Sequence, residues 1–129
     1  MGEAPTGLDL ATLRFQIGIA EEVLRHTPTD TEALRFLSHA YFAVGMPEEG
    51  LAADRRLADL LPRDPRVRYN LACSCALLGR PDEALDRLRE ACALGFDDLN
   101  LLRRDRDLDV LRKDPRFVEI ERDLAQRLK

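Results

Sequence analysis

The sequence predicts an all-α protein of antiparallel helix pairs. Three observations carry this. Leu, Ala, Arg, Asp and Glu dominate, aromatics are 5% and Trp is absent, a composition that favours helices over sheets. Shifting the chain by 34 positions aligns Leu37 with Leu71, Gly45 with Gly79, Pro47 with Pro81, Glu49 with Glu83 and Leu51 with Leu85. The same shift aligns Arg55 with Arg89, Leu60 with Leu94 and Asp64 with Asp98. Glycine and proline recur at the points where helices must stop and restart.

Residues 8–27 read as one amphipathic helix, with Leu10, Leu13, Ile17, Ala20 and Leu24 on one face and Phe15, Ile19 and Val23 beside it. Only about seven residues precede it, too few for a partner helix. In the first full unit, Asp30 and Thr31 offer start caps. Leu34, Leu37, Ala40 and Tyr41 form the helix stripe and Gly45 stops it. Pro47 starts the second helix, which carries Leu51, Leu57, Ala58, Leu60 and Leu61 and ends at Pro62. The second unit repeats this grammar, with Asp64 as cap, Pro65 as start and Val67, Leu71, Cys75 and Leu78 as stripe. Gly79, Pro81, the stripe Ala84, Leu85, Leu88 and Ala91, and Gly95 complete it. Beyond it, Asp97 or Asp98 caps a short helix through Leu99, Leu101 and Leu102, and Asp105 or Asp107 caps a turn over Leu108–Leu111. Asp114-Pro115 starts a last helix with Phe117, Ile120, Leu124 and Leu128.

The two registered 34-residue copies resemble tandem tetratricopeptide repeats. At positions where that family favours small or apolar residues stand Leu37 and Leu71, Ser38 and Ala72, Tyr41 and Cys75, Gly50 and Ala84, and Leu57 and Ala91, with Pro62 closing the first copy. Arg68, Asp54 and Phe96 depart from the pattern. The segment LNLLRRDRDLDVLRKDPRF is similar to the closing cap of many bacterial arrays of this kind. The resemblance implies a right-handed α-solenoid in one domain over residues 1–129. Its parts are a partial first repeat (8–30), two repeats (31–64 and 65–98) and degenerate capping helices (99–129).

Charge and length exclude several classes. Residues 1–62 hold ten acids and five bases, and no block of the chain is strongly basic, so nucleic acid is not an expected partner. No apolar run approaches the roughly 20 residues needed to span a bilayer, so no membrane role is expected. Met1–Leu10 holds Glu3 and Asp9 without Lys or Arg, unlike a signal peptide. A cytoplasmic protein with reduced thiols is expected.

Catalytic, metal and cofactor chemistry is not expected. Cys73-x-Cys75, Cys92 and His39 are the conceivable metal set, yet positions two apart on a helix point about 200° from each other. His26 suits the end of the first helix. Asp105-x-Asp107-x-Asp109 imitates a calcium loop but has Val110 for the glycine and Arg116 for the final glutamate. No nucleophile–base set is apparent, so an enzyme is not predicted.

What remains is binding. The resemblance implies a concave groove lined by the first helix of each unit. Carried over by position, the lining is Glu32, Arg35, His39, Phe42 and Ala43, then Arg66, Tyr69, Cys73, Ala76 and Leu77. Arg35 and Arg66 suit a carboxylate, and Phe42 and Tyr69 give rigid apolar contact, so a protein or peptide carrying an acidic group is the expected partner. His39 and Cys73 stand where the chaperone-tail class has asparagine, so its two-carboxylate specificity is not expected. Phe15, Ile19 and Val23 form a second face, for a partner helix or a second copy of the chain.

Overall fold

In a computed structural model, residues 7–129 are described, and every regular element among them is helical. The chain divides into two compact units, Met1–Pro62 and Arg63–Lys129. The expectation for residues 1–6 lies outside the described residues. The first unit holds α1 (Gly7–His26), α2 (Thr31–Ala43) and α3 (Pro47–Leu60). The second holds α4 (Pro65–Leu77), α5 (Pro81–Ala93), α6 (Leu99–Arg104), a 3₁₀ helix (Arg106–Leu111) and α7 (Pro115–Arg127). The all-α class read from the sequence is the class observed.

Local chemistry sets these boundaries. A helix start leaves N–H groups without partners, and short carboxylate side chains accept from them. Asp30 Oδ1 accepts from Ala33 N at 3.0 Å, and Asp64 Oδ1 accepts from Arg66 N and Val67 N at 3.0 and 3.1 Å. Asp98 Oδ1 accepts from Leu101 N at 3.0 Å, and Asp114 Oδ1 from Arg116 N at 2.9 Å. Pro47, Pro65, Pro81 and Pro115 open their helices, where a missing N–H is harmless. Gly45 and Gly79 take φ of 79° and 71°, so the next N–H turns back onto the helix: Met46 N reaches Tyr41 O at 2.7 Å and Arg80 N reaches Cys75 O at 2.9 Å.

Within the first unit, α2 packs against both α1 and α3. Ile17 and Ala20 of α1 meet Ala33, Leu37, Ala40 and Tyr41 of α2. Between α2 and α3, buried Ser38 donates to buried Asp54 at 2.5 Å. Asp54, out of pattern by sequence, is thus paired with the small polar residue facing it, as a buried carboxylate requires. Gly50 lies under Phe42, since a Cβ there would come within 2.6 Å of that ring.

In the second unit, α4 packs against α5, the 3₁₀ helix lies on α4, and α7 packs on α5 and α6. Leu85, Leu88, Leu102, Leu108, Leu111 and Phe117 are all sealed from solvent. Arg68, a second departure from the repeat pattern, bonds to Glu90 of α5 at 2.8 Å.

Candidate protein-interaction surface

The two units treat their equivalent helix faces differently. On α2, Glu32 and His39 are exposed and Arg35 is half-buried. Phe42 is half-buried and its ring is drawn onto Gly50, so part of it serves the α2–α3 contact.

On α4 the corresponding face is mostly filled by the chain itself. Tyr69 is 1% exposed and Cys73 6%. Their expected place in an open groove is therefore corrected. Gly95, at φ 111°, turns the backbone so that Phe96 comes back over α4. Phe96 stacks on Tyr69 with ring centroids 4.3 Å apart and planes 5° from parallel. The Tyr69 hydroxyl donates to Asp105 Oδ2 at 2.7 Å, and the Cys73 thiol points to the same oxygen at 3.7 Å. The other carboxylate oxygen, Oδ1, accepts from Asp107 N at 3.1 Å, capping the 3₁₀ helix. Arg66 lies 3.6 Å from Asp98 and places its guanidinium 5.7 Å from the Phe96 ring centre. Arg66, though exposed, is thus engaged by its own chain, and Leu77 is 44% exposed. Arg66 and Tyr69 thus meet an aromatic ring and carboxylates that belong to residues 96–105 of the same chain.

This enclosure sets the electrostatics. Burial first, then the charges of Asp105 and Asp107, push the Cys73 thiol well above its ordinary range. Burial chiefly, with Cys73 and Asp105 beside it, raises Tyr69 as well. In the first unit, burial and the hydrogen bond to Glu21 push Tyr41 up to about 12. These groups stay protonated when folded at pH values where the unfolded chain releases their protons. The stability they contribute is therefore complete below about pH 8.5, where unfolded thiols start to ionise, and declines above it. Urea denaturation followed by circular dichroism at pH 7.5, 9 and 10.5 is expected to give midpoints that fall with each step. An unchanged midpoint at 10.5 would contradict the buried positions of Tyr69 and Cys73.

Cys73, Asp105 and Asp107 place three donor atoms within 4.8 Å of one another, a grouping that the sequence, with these residues 32 and 34 positions apart, does not reveal. Asp105 spends both its oxygens on protein donors there. Cys92 is half-buried on α5, His26 bonds to Glu22 at 3.0 Å at the end of α1, and His39 is exposed on the α2 face.

The second face of interest lies on α1. Phe15, Ile19 and Val23 are 69, 51 and 37% exposed. Ile19 and Val23 border an open trough of about 410 Å³ between α1 and α2. Ala20, Ala33 and Phe36 make its floor, and Gln16, Asp30 and Glu32 make its polar rim. Phe36 belongs to this surface although the sequence stripe Leu34, Leu37, Ala40 and Tyr41 passed it by. Its signal was a bulky apolar residue one step outside the stripe. No helix among the described residues is long and apolar enough to cross a membrane.

No curated protein matches this chain. A family model described as tetratricopeptide repeat matches residues 65–90, the α4–α5 pair and its turn. That match falls on the segment where a 34-residue period, a glycine stop and a proline restart coincide in an all-helical chain, so the α4–α5 pair is similar to a tetratricopeptide repeat.

Proposed function

We infer that a chain carrying a tetratricopeptide-like helix pair at residues 65–90 is a protein–protein interaction module in general. We propose that this chain is a non-catalytic adaptor that binds one partner polypeptide through the open face of its first unit, in the reducing cytoplasm. Glu32, Arg35 and His39 are its polar contacts. The observation that carries this is the contrast between the two units. The face of α4 is covered by residues 96–111, whereas Glu32 and His39 on α2 are exposed. An acidic group on the partner would meet Arg35, as Asp98 meets Arg66 in the second unit.

Self-assembly through Phe15, Ile19 and Val23 is the alternative, supported by their exposure. The excess of acidic residues in the first half opposes placing two such faces together. Light scattering at high concentration separates the two, with a monomer expected and a dimer favouring self-assembly.

The direct test is affinity capture from native lysate with the wild-type chain and with Arg35→Glu. The wild type is expected to retain a partner that Arg35→Glu loses by about tenfold or more, with helicity unchanged. Equal recovery by both would refute the α2 face as the binding surface.

A further inference from the structure

We propose that the trough between α1 and α2 docks an amphipathic helix of another protein, its apolar stripe flanked by lysine or arginine. This rests on the reading of the first unit as the partner-binding unit and names the chemistry of what it binds.

The trough is apolar where it is deepest and acidic at its edge. Ile19, Val23 and Phe36 offer the hydrocarbon surface, and Asp30 and Glu32 are the charged residues on the rim. The basic residues of α1, Arg14 and Arg25, lie roughly on the opposite side of that helix at 100° per residue. Arg25 is bonded to Glu22 besides. The surrounding segment, residues 1–62, carries ten acids against five bases. An acidic helix would bring like charge to this rim, a neutral one would leave its carboxylates without a counter-charge, and a second copy of the same face would set acid against acid. Cationic flanks satisfy it.

The partner's conformation follows from the same surface. Both walls are helices whose backbone groups are used internally, so an extended strand finds no free edge to pair with. Phe15, Ile19 and Val23 recur every fourth residue and form a ridge. A ridge of that spacing packs against another helix presenting side chains at i, i+4 and i+7.

The test uses the full chain and three synthetic peptides of about 18 residues, long enough for several helical turns. All share a Leu/Ile stripe at that spacing, and their flanks are lysine, glutamine or glutamate. In fluorescence anisotropy at low salt, the lysine peptide is expected to bind about tenfold or more tighter than the glutamate peptide, with the difference shrinking at high salt. Ile19→Glu, an exposed position where folding tolerates the change, is expected to weaken the lysine peptide by about tenfold or more, and Glu32→Lys to erase the preference among flanks. Binding of no peptide, equal binding of all three, or binding indifferent to Ile19→Glu overturns the proposal. So does a dimer that Ile19→Glu dissociates, since a second copy would then be the occupant. If the native partner is lost on Arg35→Glu but kept on Ile19→Glu, the adaptor reading stands and this inference fails. If it is kept on both, both fail.

Discussion

Tyr69→Ala is expected to destabilise the second unit by about 3–5 kcal/mol, the range for truncating a large buried aromatic. Tyr69 is 1% exposed, stacks on Phe96 at 4.3 Å and donates to Asp105 at 2.7 Å. Its removal strips the platform on which Phe96 rests and leaves a cavity where the 3₁₀ helix lies on α4. Tyr69→Phe keeps the ring and loses only the hydroxyl, so about 1–2 kcal/mol is expected. Urea denaturation followed by circular dichroism measures both. Losses below about 1 kcal/mol for the alanine variant, as at an exposed position, would show that residue 69 faces solvent rather than the cap.

Asp105→Ala is expected to lower stability by about 2–4 kcal/mol and to make Cys73 reactive. One carboxylate oxygen receives the Tyr69 hydroxyl and the Cys73 thiol, and the other caps the 3₁₀ helix through Asp107 N. Alanine leaves a buried phenol without an acceptor and removes the carboxylate charge that, after burial, does most to hold the thiol protonated. Both effects favour attack by a thiol reagent, so labelling of Cys73 is expected to speed up by about tenfold or more. Mass spectrometry assigns the label among Cys73, Cys75 and Cys92. Asp105→Asn keeps the shape and an acceptor oxygen, and its loss is expected to stay near 1 kcal/mol. An alanine variant as stable and as unreactive as the wild type would contradict the network.

The helices were legible because this chain writes their ends with strong local signals. Asp-Pro at 64–65 and 114–115 both caps and starts, and Gly45 and Gly79 take the left-handed turn that glycine adopts readily. Where the sequence departs from the repeat pattern, the structure supplies the reason in pairs: Asp54 with Ser38, Arg68 with Glu90, Phe96 with Tyr69. Each pair joins residues too far apart for helical periodicity to couple. The covered face of α4 was missed for the same cause. Position along α4 assigns Tyr69 and Cys73 to a groove, but only the path of the chain after Gly95 fills it. A clue was present in Phe96, an aromatic one residue past a helix stop, which buries well only against another element. On the first unit, the exposure of Phe15, Ile19 and Val23 could be read from a helix with apolar residues on two sides. The depth of the trough depended on Phe36, which the helix stripe did not use.

On the proposed reading the first unit receives the partner, while the face of α4 is closed by residues 96–111 of its own chain. Amide hydrogen exchange of the 129-residue chain, with and without its captured partner, tests this most directly. Protection is expected in α1 and α2, with α4 and residues 96–111 exchanging as they do in the free protein. Protection of α4 accompanied by faster exchange in residues 96–111 would mean that the partner displaces the cap, and would contradict the account.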